Sequence, residues 1–269
     1  MGGPLTMEGT FVRDGMALNY RIEKADPVAP WLVFGNSLMT DLSIWDEQVA
    51  ALAGNWNLLR YDQRGHGRSG EPQAALDIPT LAADLLALTD FVGIERCTYV
   101  GLSMGVPTGL AAFGARAELF ERLVLVDGQA RSAATGRAFW EERIAFAREY
   151  GMAALAEQTV KRWLRPDRHA SAQAERLRDM IAATPLEGFV ACASALREYD
   201  QSAVLSRLGI PVRLIAGAED GAMPATMKAM AGQIADAAFE ALPDAGHVPN
   251  FEKPAEFNIA LAAALRTPE

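Results

Sequence analysis

A serine, an aspartate and a histidine stand in this 269-residue chain at three places where acyl-transfer chemistry would put them. Ser103 is the centre of Gly101-Leu102-Ser103-Met104-Gly105, which fits the G-x-S-x-G pattern of a nucleophile elbow. In an elbow the serine occupies a sharp strand-to-helix turn. The residues two before and two after it pack closely, and glycine fits both places where a Cβ would crowd the turn. Asp220, in Ala216-Gly217-Ala218-Glu219-Asp220, offers a carboxylate, and His247, in Asp244-Ala245-Gly246-His247, offers a base. Of the three histidines, His66 lies in a glycine-arginine loop before the elbow and His169 in a polar helical stretch, which leaves His247 as the one that follows the elbow at a strand end.

The expected roles follow from acid–base chemistry. His247 would take the proton of Ser103 as the hydroxyl attacks a carbonyl. Asp220 would hold the imidazole in the right tautomer and stabilise the imidazolium. Asp127 closes an earlier strand and is the alternative acid. Two backbone N–H groups would meet the oxyanion, that of Met104, directly after the serine, and that of Leu38, in the loop after an earlier strand. Each such donor contributes roughly 3 kcal/mol in the transition state.

These residues need a scaffold, and the apolar pattern supplies one. The short continuous apolar run Trp31–Phe34 reads as a strand buried on both faces, Leu123–Val126 reads as another buried strand, and Trp56–Tyr61, Cys97–Val100, Val212–Ile215 and Ala238–Leu242 read as further strands. Phe11–Arg21 reads as a hairpin turning at Asp14-Gly15. A helix begins near Asp41 with Ile44, Trp45, Val49 and Leu52 on one side, and another runs from Pro79-Thr80 to Phe91 with Thr80 as its cap. Pro107 is tolerated in the first turn of the helix after Ser103, where the N–H groups lack intrahelical partners. Strand–helix alternation predicts an α/β fold, a mostly parallel sheet flanked by helices, with functional residues at the carboxyl ends of the strands. Residues 131–200 break the alternation with helical segments at Phe139–Tyr150, Met152–Trp163, Ala170–Ala183 and Gly188–Tyr199. This block is expected to be a helical cap inserted into a core made of residues 1–130 and 201–269.

Composition narrows the partners. The net charge is -9, and residues 131–200 hold ten arginines and one lysine against ten acidic residues, so the rest carries about ten net negative charges. That balance argues against a nucleic-acid partner and against attraction to an anionic membrane. No apolar run approaches the ~20 residues of a membrane span, and Met1–Thr10 lacks the basic start and apolar run of a signal peptide. Cys97 and Cys192, the only cysteines, fall in an apolar strand and a helical stretch and are expected to be two buried free thiols, which suits a cytoplasmic protein.

The chain resembles α/β-hydrolases from end to end. Within them it resembles the 3-oxoadipate enol-lactonases, through Phe34-Gly35-Asn36-Ser37-Leu38 with Asp41 and Trp45, Tyr61-Asp62-Gln63-Arg64-Gly65-His66-Gly67-Arg68-Ser69, Gly101–Gly105, Thr184-Pro185-Leu186-Glu187-Gly188-Phe189, Ala191-Cys192 and Ala195-Leu196-Arg197. The resemblance implies hydrolysis of a small-molecule lactone or ester through an acyl-enzyme, with no metal and no organic cofactor. Oligomeric state is left open. Met39 and Val106 stand where that group usually has glycine, and both are expected to reshape the acyl pocket. Asn36, Ser37, Trp140 and Trp163 are candidate pocket residues, with Tyr199 as a further aromatic and Arg143, Arg162 and Arg197 as cations for an anionic substrate. Asp62, Arg64 and His66 are expected to tie a loop together. A C–C bond hydrolase, a perhydrolase and a slow-turnover ligand receptor are alternatives on the same three residues.

Overall fold

The apolar runs line up side by side in one eight-stranded sheet. The computed structural model describes residues 5–72 and 74–266; positions 1–4 of the Met1–Thr10 segment, expected to hold no signal peptide, lie outside them. The strands are β1 (Leu5–Arg13), β2 (Met16–Lys24), β3 (Trp31–Gly35), β4 (Asn57–Tyr61), β5 (Cys97–Leu102), β6 (Phe120–Val126), β7 (Val212–Gly217) and β8 (Ala237–Leu242). Their spatial order is β1-β2-β4-β3-β5-β6-β7-β8. β2 pairs antiparallel with β1 and with β4, and every later pairing is parallel. The β1–β2 hairpin turns at Asp14 and Gly15, with φ of 53° and 76°, the doubly left-handed geometry that suits the right-handed twist of two strands.

Every residue of β4 and β5 is buried, including the polar Asn57, Arg60 and Thr98. Neighbouring residues feed opposite cores, because side chains alternate along a strand. Leu32, Phe34, Val100 and Leu102 enter one core and Val33, Tyr99, Leu123 and Leu125 the other. Helices α2 (Ile78–Val92), α3 (Gly105–Ala115) and α8 (Met223–Ala231) cover the second core through residues such as Leu85, Leu110 and Met227. The first core takes in Phe257 from α10 (Pro254–Leu265), which packs with Trp45, itself just before α1 (Asp46–Leu52) and in tilted contact with Phe34 at 4.9 Å. The short α9 (Pro249–Glu252) precedes α10.

One local expectation changes. Asp77, not Thr80, caps α2; its carboxylate accepts from the Thr80 N–H at 2.8 Å and from the Thr80 hydroxyl at 2.6 Å. With Pro79 inside the first turn, the orphan donor is the Thr80 amide itself, and a side chain one turn earlier must satisfy it.

Between β6 and β7 run α4 (Gly136–Trp163), α5 (Ala172–Ala183), α6 (Leu186–Arg197) and α7 (Ser202–Leu205). α4 bends sharply at Gly151, whose φ of 82° separates the two segments expected from the sequence. Trp163, Leu177 and Phe189 from these helices join the first core, so the helical block is packed onto the sheet's own apolar face. Cys97 and Cys192 are both buried and unbridged, as expected. Among the described residues no single helix is long and apolar enough to cross a membrane.

Candidate active site

Ser103 sits between β5 and α3 with φ of 53°, a left-handed conformation that costs a non-glycine residue about 1–2 kcal/mol. The turn is over-determined by its surroundings. The Ser103 N–H donates to Val126 O at 2.8 Å, and the Val106 N–H donates back to Ser103 O at 2.9 Å. A Cβ on Gly101 would lie 2.6 Å from Gly105 O, and one on Gly105 would lie 2.7 Å from Gly35 O. Both glycines are therefore steric requirements, as their spacing around the serine implied. The Tyr99 hydroxyl closes the turn from below by donating to Gly105 O at 2.8 Å.

His247 lies in the loop after β8 and Asp220 in the loop after β7. His247 Nδ1 is 2.7 Å from Asp220 Oδ2, and His247 Nε2 is 3.0 Å from Ser103 Oγ. A carboxylate only accepts, so Nδ1 carries the proton and Nε2 is left to accept from the serine hydroxyl. Burial pushes the Asp220 carboxyl up, but the charge and hydrogen bond of His247, then Asp127 and Arg162, outweigh it and hold the group below its ordinary value.

The loops are tied to one another and to α4. The Glu219 N–H donates to Ala245 O at 2.9 Å, and the His247 N–H donates to Trp163 O at 2.8 Å. Glu252, almost fully buried, accepts from the Gly246 N–H at 2.6 Å and the Arg165 N–H at 2.8 Å. The Arg165 guanidinium reaches Glu219 at 2.7 Å and Asp244 at 2.5 Å. Neither Arg165 nor Glu252 was a sequence candidate; a solvent-type arginine and an acid at a helix start carry no local signal of such a role.

Asp127, the alternative acid, does not touch His247's ring nitrogens within hydrogen-bond distance. It follows β6 directly, fully buried, with φ of 40°, and both its oxygens accept from the Gly217 N–H at 3.0 Å. Burial, and then the charge of Asp220, push its carboxyl well above the usual range, so it is the neutral member of the pair. One donor atom each from Asp127, Asp220 and His247 lies within 4.8 Å of the others, the one metal-capable trio among the described residues, and its atoms are engaged with each other and with Gly217.

Ser103 and His247 open onto a cavity of about 280 Å³ whose wall is mostly apolar. Leu38, Met104 and Met223 line it from the sheet side, and Phe139, Trp140, Trp163, Leu196 and Tyr199 from the helical block. Among the described residues the Leu38 and Met104 N–H groups have no acceptor, which leaves both free toward the cavity they line. The Trp163 ring also packs against the His247 ring, tilted by 37° with centroids 5.0 Å apart.

Asn36 and Ser37 were expected at the pocket wall and are not there. Asn36 donates to Tyr61 O at 2.7 Å and accepts from the Trp45 indole at 3.0 Å, so its amide is consumed in holding the loop after β3. Ser37 is buried beside it, its carbonyl accepting from Thr40 and Gln63. Met39 and Val106 do not line the cavity either. Val106 joins the core on the other face of the sheet, against Gly128, and Met39 is buried with a left-handed φ of 64°, a conformation glycine adopts more easily. Of the three cap arginines only Arg162 lines the cavity; Arg143 is buried on Thr159, and Arg197 lies 3.5 Å from Glu141 at the surface.

Asp62, Arg64 and His66 are structural, as expected. Asp62 accepts from the Leu42 N–H at 2.7 Å, the Arg68 N–H at 3.0 Å and Asn19 at 2.8 Å, and Arg64 is paired with Asp84. His66 is more specific than a loop tie. Its Nε2 accepts from the Met39 N–H at 2.8 Å, the amide next to Leu38, while Nδ1 lies 3.0 Å from Arg64 O.

The comparisons agree with this architecture. The alpha/beta hydrolase fold family matches residues 30–254. The 3-oxoadipate enol-lactonase 2 of Acinetobacter baylyi is 34% identical over 265 residues, 96% of each chain. The crystal structure of the enol-lactonase from Burkholderia xenovorans is 35% identical and superposes with a TM-score of 0.90 over 96% of this chain and 99% of that one. The crystal structure of a hydrolase from Pseudomonas aeruginosa is 33% identical, with a TM-score of 0.90 over 97% of this chain and 98% of that one. A sharp serine turn, an eight-stranded mostly parallel sheet and these relatives agree: the chain belongs to the α/β-hydrolase fold family and, within it, resembles the 3-oxoadipate enol-lactonases.

Proposed function

We propose that this protein is a serine hydrolase that opens an enol-lactone-type lactone, or cleaves a small carboxylic ester, through an acyl-enzyme. The observation that carries the reading is His247 bridging Ser103 Oγ at 3.0 Å and Asp220 Oδ2 at 2.7 Å in the wall of a mostly apolar cavity. Enol-lactonase relatives over nearly the whole chain support the lactone.

Ser103 Oγ attacks the lactone carbonyl as His247 Nε2 takes its proton, and Asp220 stabilises the imidazolium. The oxyanion of the tetrahedral intermediate accepts from the Leu38 and Met104 N–H groups, which cost no reorganisation because they are already free. The ring C–O bond breaks, His247 returns the proton to the leaving enol oxygen, and that oxygen stays tethered to the acyl group. Water, deprotonated by His247, attacks the ester carbon and releases Ser103 with its proton restored. The freed enol tautomerises to a ketone. Asp127 holds a proton against Asp220 and is not the acid on His247. Residues 131–200 serve as a cap that supplies the aromatic roof, over a core of residues 1–130 and 201–269.

Ser103→Ala tests this directly. Turnover of an enol lactone and labelling by a fluorophosphonate should both disappear while the circular dichroism spectrum and melting temperature stay close to those of the parent protein. Undiminished turnover in that variant rules the mechanism out.

A further inference from the structure

The sheet ends in two edge strands, β1 and β8, and the free edge of β8 is complementary to itself. We propose that β8 pairs antiparallel with β8 of a second copy of this chain, about a two-fold axis at Phe239, so that two eight-stranded sheets join into one.

Among the described residues β8 pairs with β7 alone. The Val212 N–H donates to Asp236 O at 2.8 Å and the Ala218 N–H to Leu242 O at 2.9 Å. In a parallel ladder this phase turns the N–H and C=O of Ala238, Glu240 and Leu242 toward β7, and those of Ala237, Phe239 and Ala241 outward. An open row of alternating donors and acceptors is a template for another strand, and edges that stay single are blunted by lysine, proline or a bulge. β8, Ala-Ala-Phe-Glu-Ala-Leu, has none of these, and its register with β7 is unbroken. The opposite edge, β1, has Thr6, Glu8, Gly9 and Thr10 in its middle. The surface beside β8 is apolar as well. Ala238, Ala260 and Ala263 line a groove of about 240 Å³ between the strand and α10, and Ile259 on the same helix is 73% exposed.

Charge makes β8 its own partner and sets the register. With the axis at Phe239, Phe239 opposes Phe239, Ala237 opposes Ala241, and the outward N–H and C=O groups of all three are satisfied. Ala238 then opposes Glu240 of the second copy. Arg213 stands beside Ala238 on β7 and, like Glu240, lines the groove. Two strand spacings put Arg213 and Glu240 of the second copy about 10 Å apart at Cα, with only an alanine between them, within reach of both side chains. Glu240 is exposed and among the described residues is in no ion pair, and the two-fold makes this contact twice. Neighbouring registers fail. An axis at Ala238 sets Glu240 against Asp236, an axis at Glu240 sets two glutamates face to face, and an axis at Ala241 sets Phe239 against Pro243, which has no N–H to give.

Sedimentation velocity and light scattering on the whole protein at micromolar concentration should show a dimer that dissociates on dilution. Phe239→Cys tests the axis. Opposed residues of a bonded antiparallel pair lie about 5.5 Å apart at Cα, within the span a disulfide bridges. Cys97 and Cys192 are buried, so mild oxidation should link Phe239→Cys into a covalent dimer on a non-reducing gel and leave Val12→Cys, at the opposite edge, unlinked. Charge reversal tests the side-chain contact. Glu240→Arg and Arg213→Glu, each alone, should weaken self-association at least tenfold. A mixture of the two variants should form a heterodimer, because both contacts across the axis then join opposite charges again. Turnover should stay close to that of the parent in each, since neither residue lines the Ser103 cavity. A monomeric parent protein, a dimer indifferent to Glu240→Arg, or reversed variants that do not associate on mixing overturns the proposal. Phe239→Cys that links no faster than Val12→Cys overturns it whether or not Arg213→Glu folds.

Discussion

Asp127 and Asp220 face one another from the ends of two adjacent parallel strands, their carboxyl groups within 4.8 Å in a site shielded from water. Two like charges so placed cannot both persist. Asp220 is held toward its charged form because His247 donates to it, while burial and then the charge of Asp220 push the Asp127 carboxyl up, though it accepts from the Gly217 N–H.

The pair makes stability depend on pH in a defined direction. The Asp127 pKa is raised on folding, so its contribution is fully present below the ordinary carboxyl value and lost as pH rises through the raised one. Asp127→Asn keeps the shape and the donor but cannot ionise. Its stability relative to the parent should increase steadily with pH in urea unfolding, and its turnover should stay within a few fold. A stability difference that does not change with pH would show that Asp127 is charged in the folded protein.

His66 predicts the opposite trend at low pH. Burial lowers its pKa from 6.5 to about 4, so the stability it confers is present above the unfolded value and lost as pH falls toward the folded one. A depression of this size corresponds to about 3 kcal/mol. Replacing His66 by Gln should therefore narrow the stability gap to the parent by about that amount between pH 7 and pH 4. Because His66 supports the Met39 amide beside Leu38, the same variant should lose kcat more than KM.

The elbow tolerates no added methyl group. In Gly101→Ala the new Cβ would lie 2.6 Å from Gly105 O, a backbone atom that cannot swing aside. Unfolding free energy should fall by about 1–3 kcal/mol, the usual cost of overpacking, and fluorophosphonate labelling should slow in the protein that remains folded. Wild-type stability and labelling together would mean that the turn is looser than its contacts imply.

Glu252 should matter far beyond its distance from the reacting atoms. Glu252→Ala leaves the Gly246 and Arg165 N–H groups unpaired, at about 1–3 kcal/mol for each buried donor. His247 follows Gly246 directly, so kcat should fall at least tenfold with little change in KM. Glu252→Gln, which retains one acceptor oxygen, should recover part of the loss. If the Gln variant recovers nothing, charge rather than acceptor geometry is what the loop requires.

The sequence by itself carries what depends on near neighbours. The glycines around Ser103, the Asp14-Gly15 turn and the break at Gly151 are legible because a backbone conformation restricts the residue in place. The apolar run of β3 is legible because that strand is buried between helices on both faces of the sheet. The order serine, acid, histidine narrows the acid to two residues, but the choice between Asp220 and Asp127 is made by which carboxylate reaches Nδ1 of His247, and only the packing of β6, β7 and their loops decides that. Asn36 looks like a pocket residue from its place beside the oxyanion loop, yet its side chain turns inward to Tyr61 and Trp45. Arg162 and Arg143 both lie in α4, and the fold brings one to the cavity and buries the other against Thr159. Side-chain direction, and the partners that meet it from distant segments, are properties of the packed chain, because each hydrogen bond or orphaned donor depends on atoms that come together only when the sheet, its loops and the helices above it are assembled.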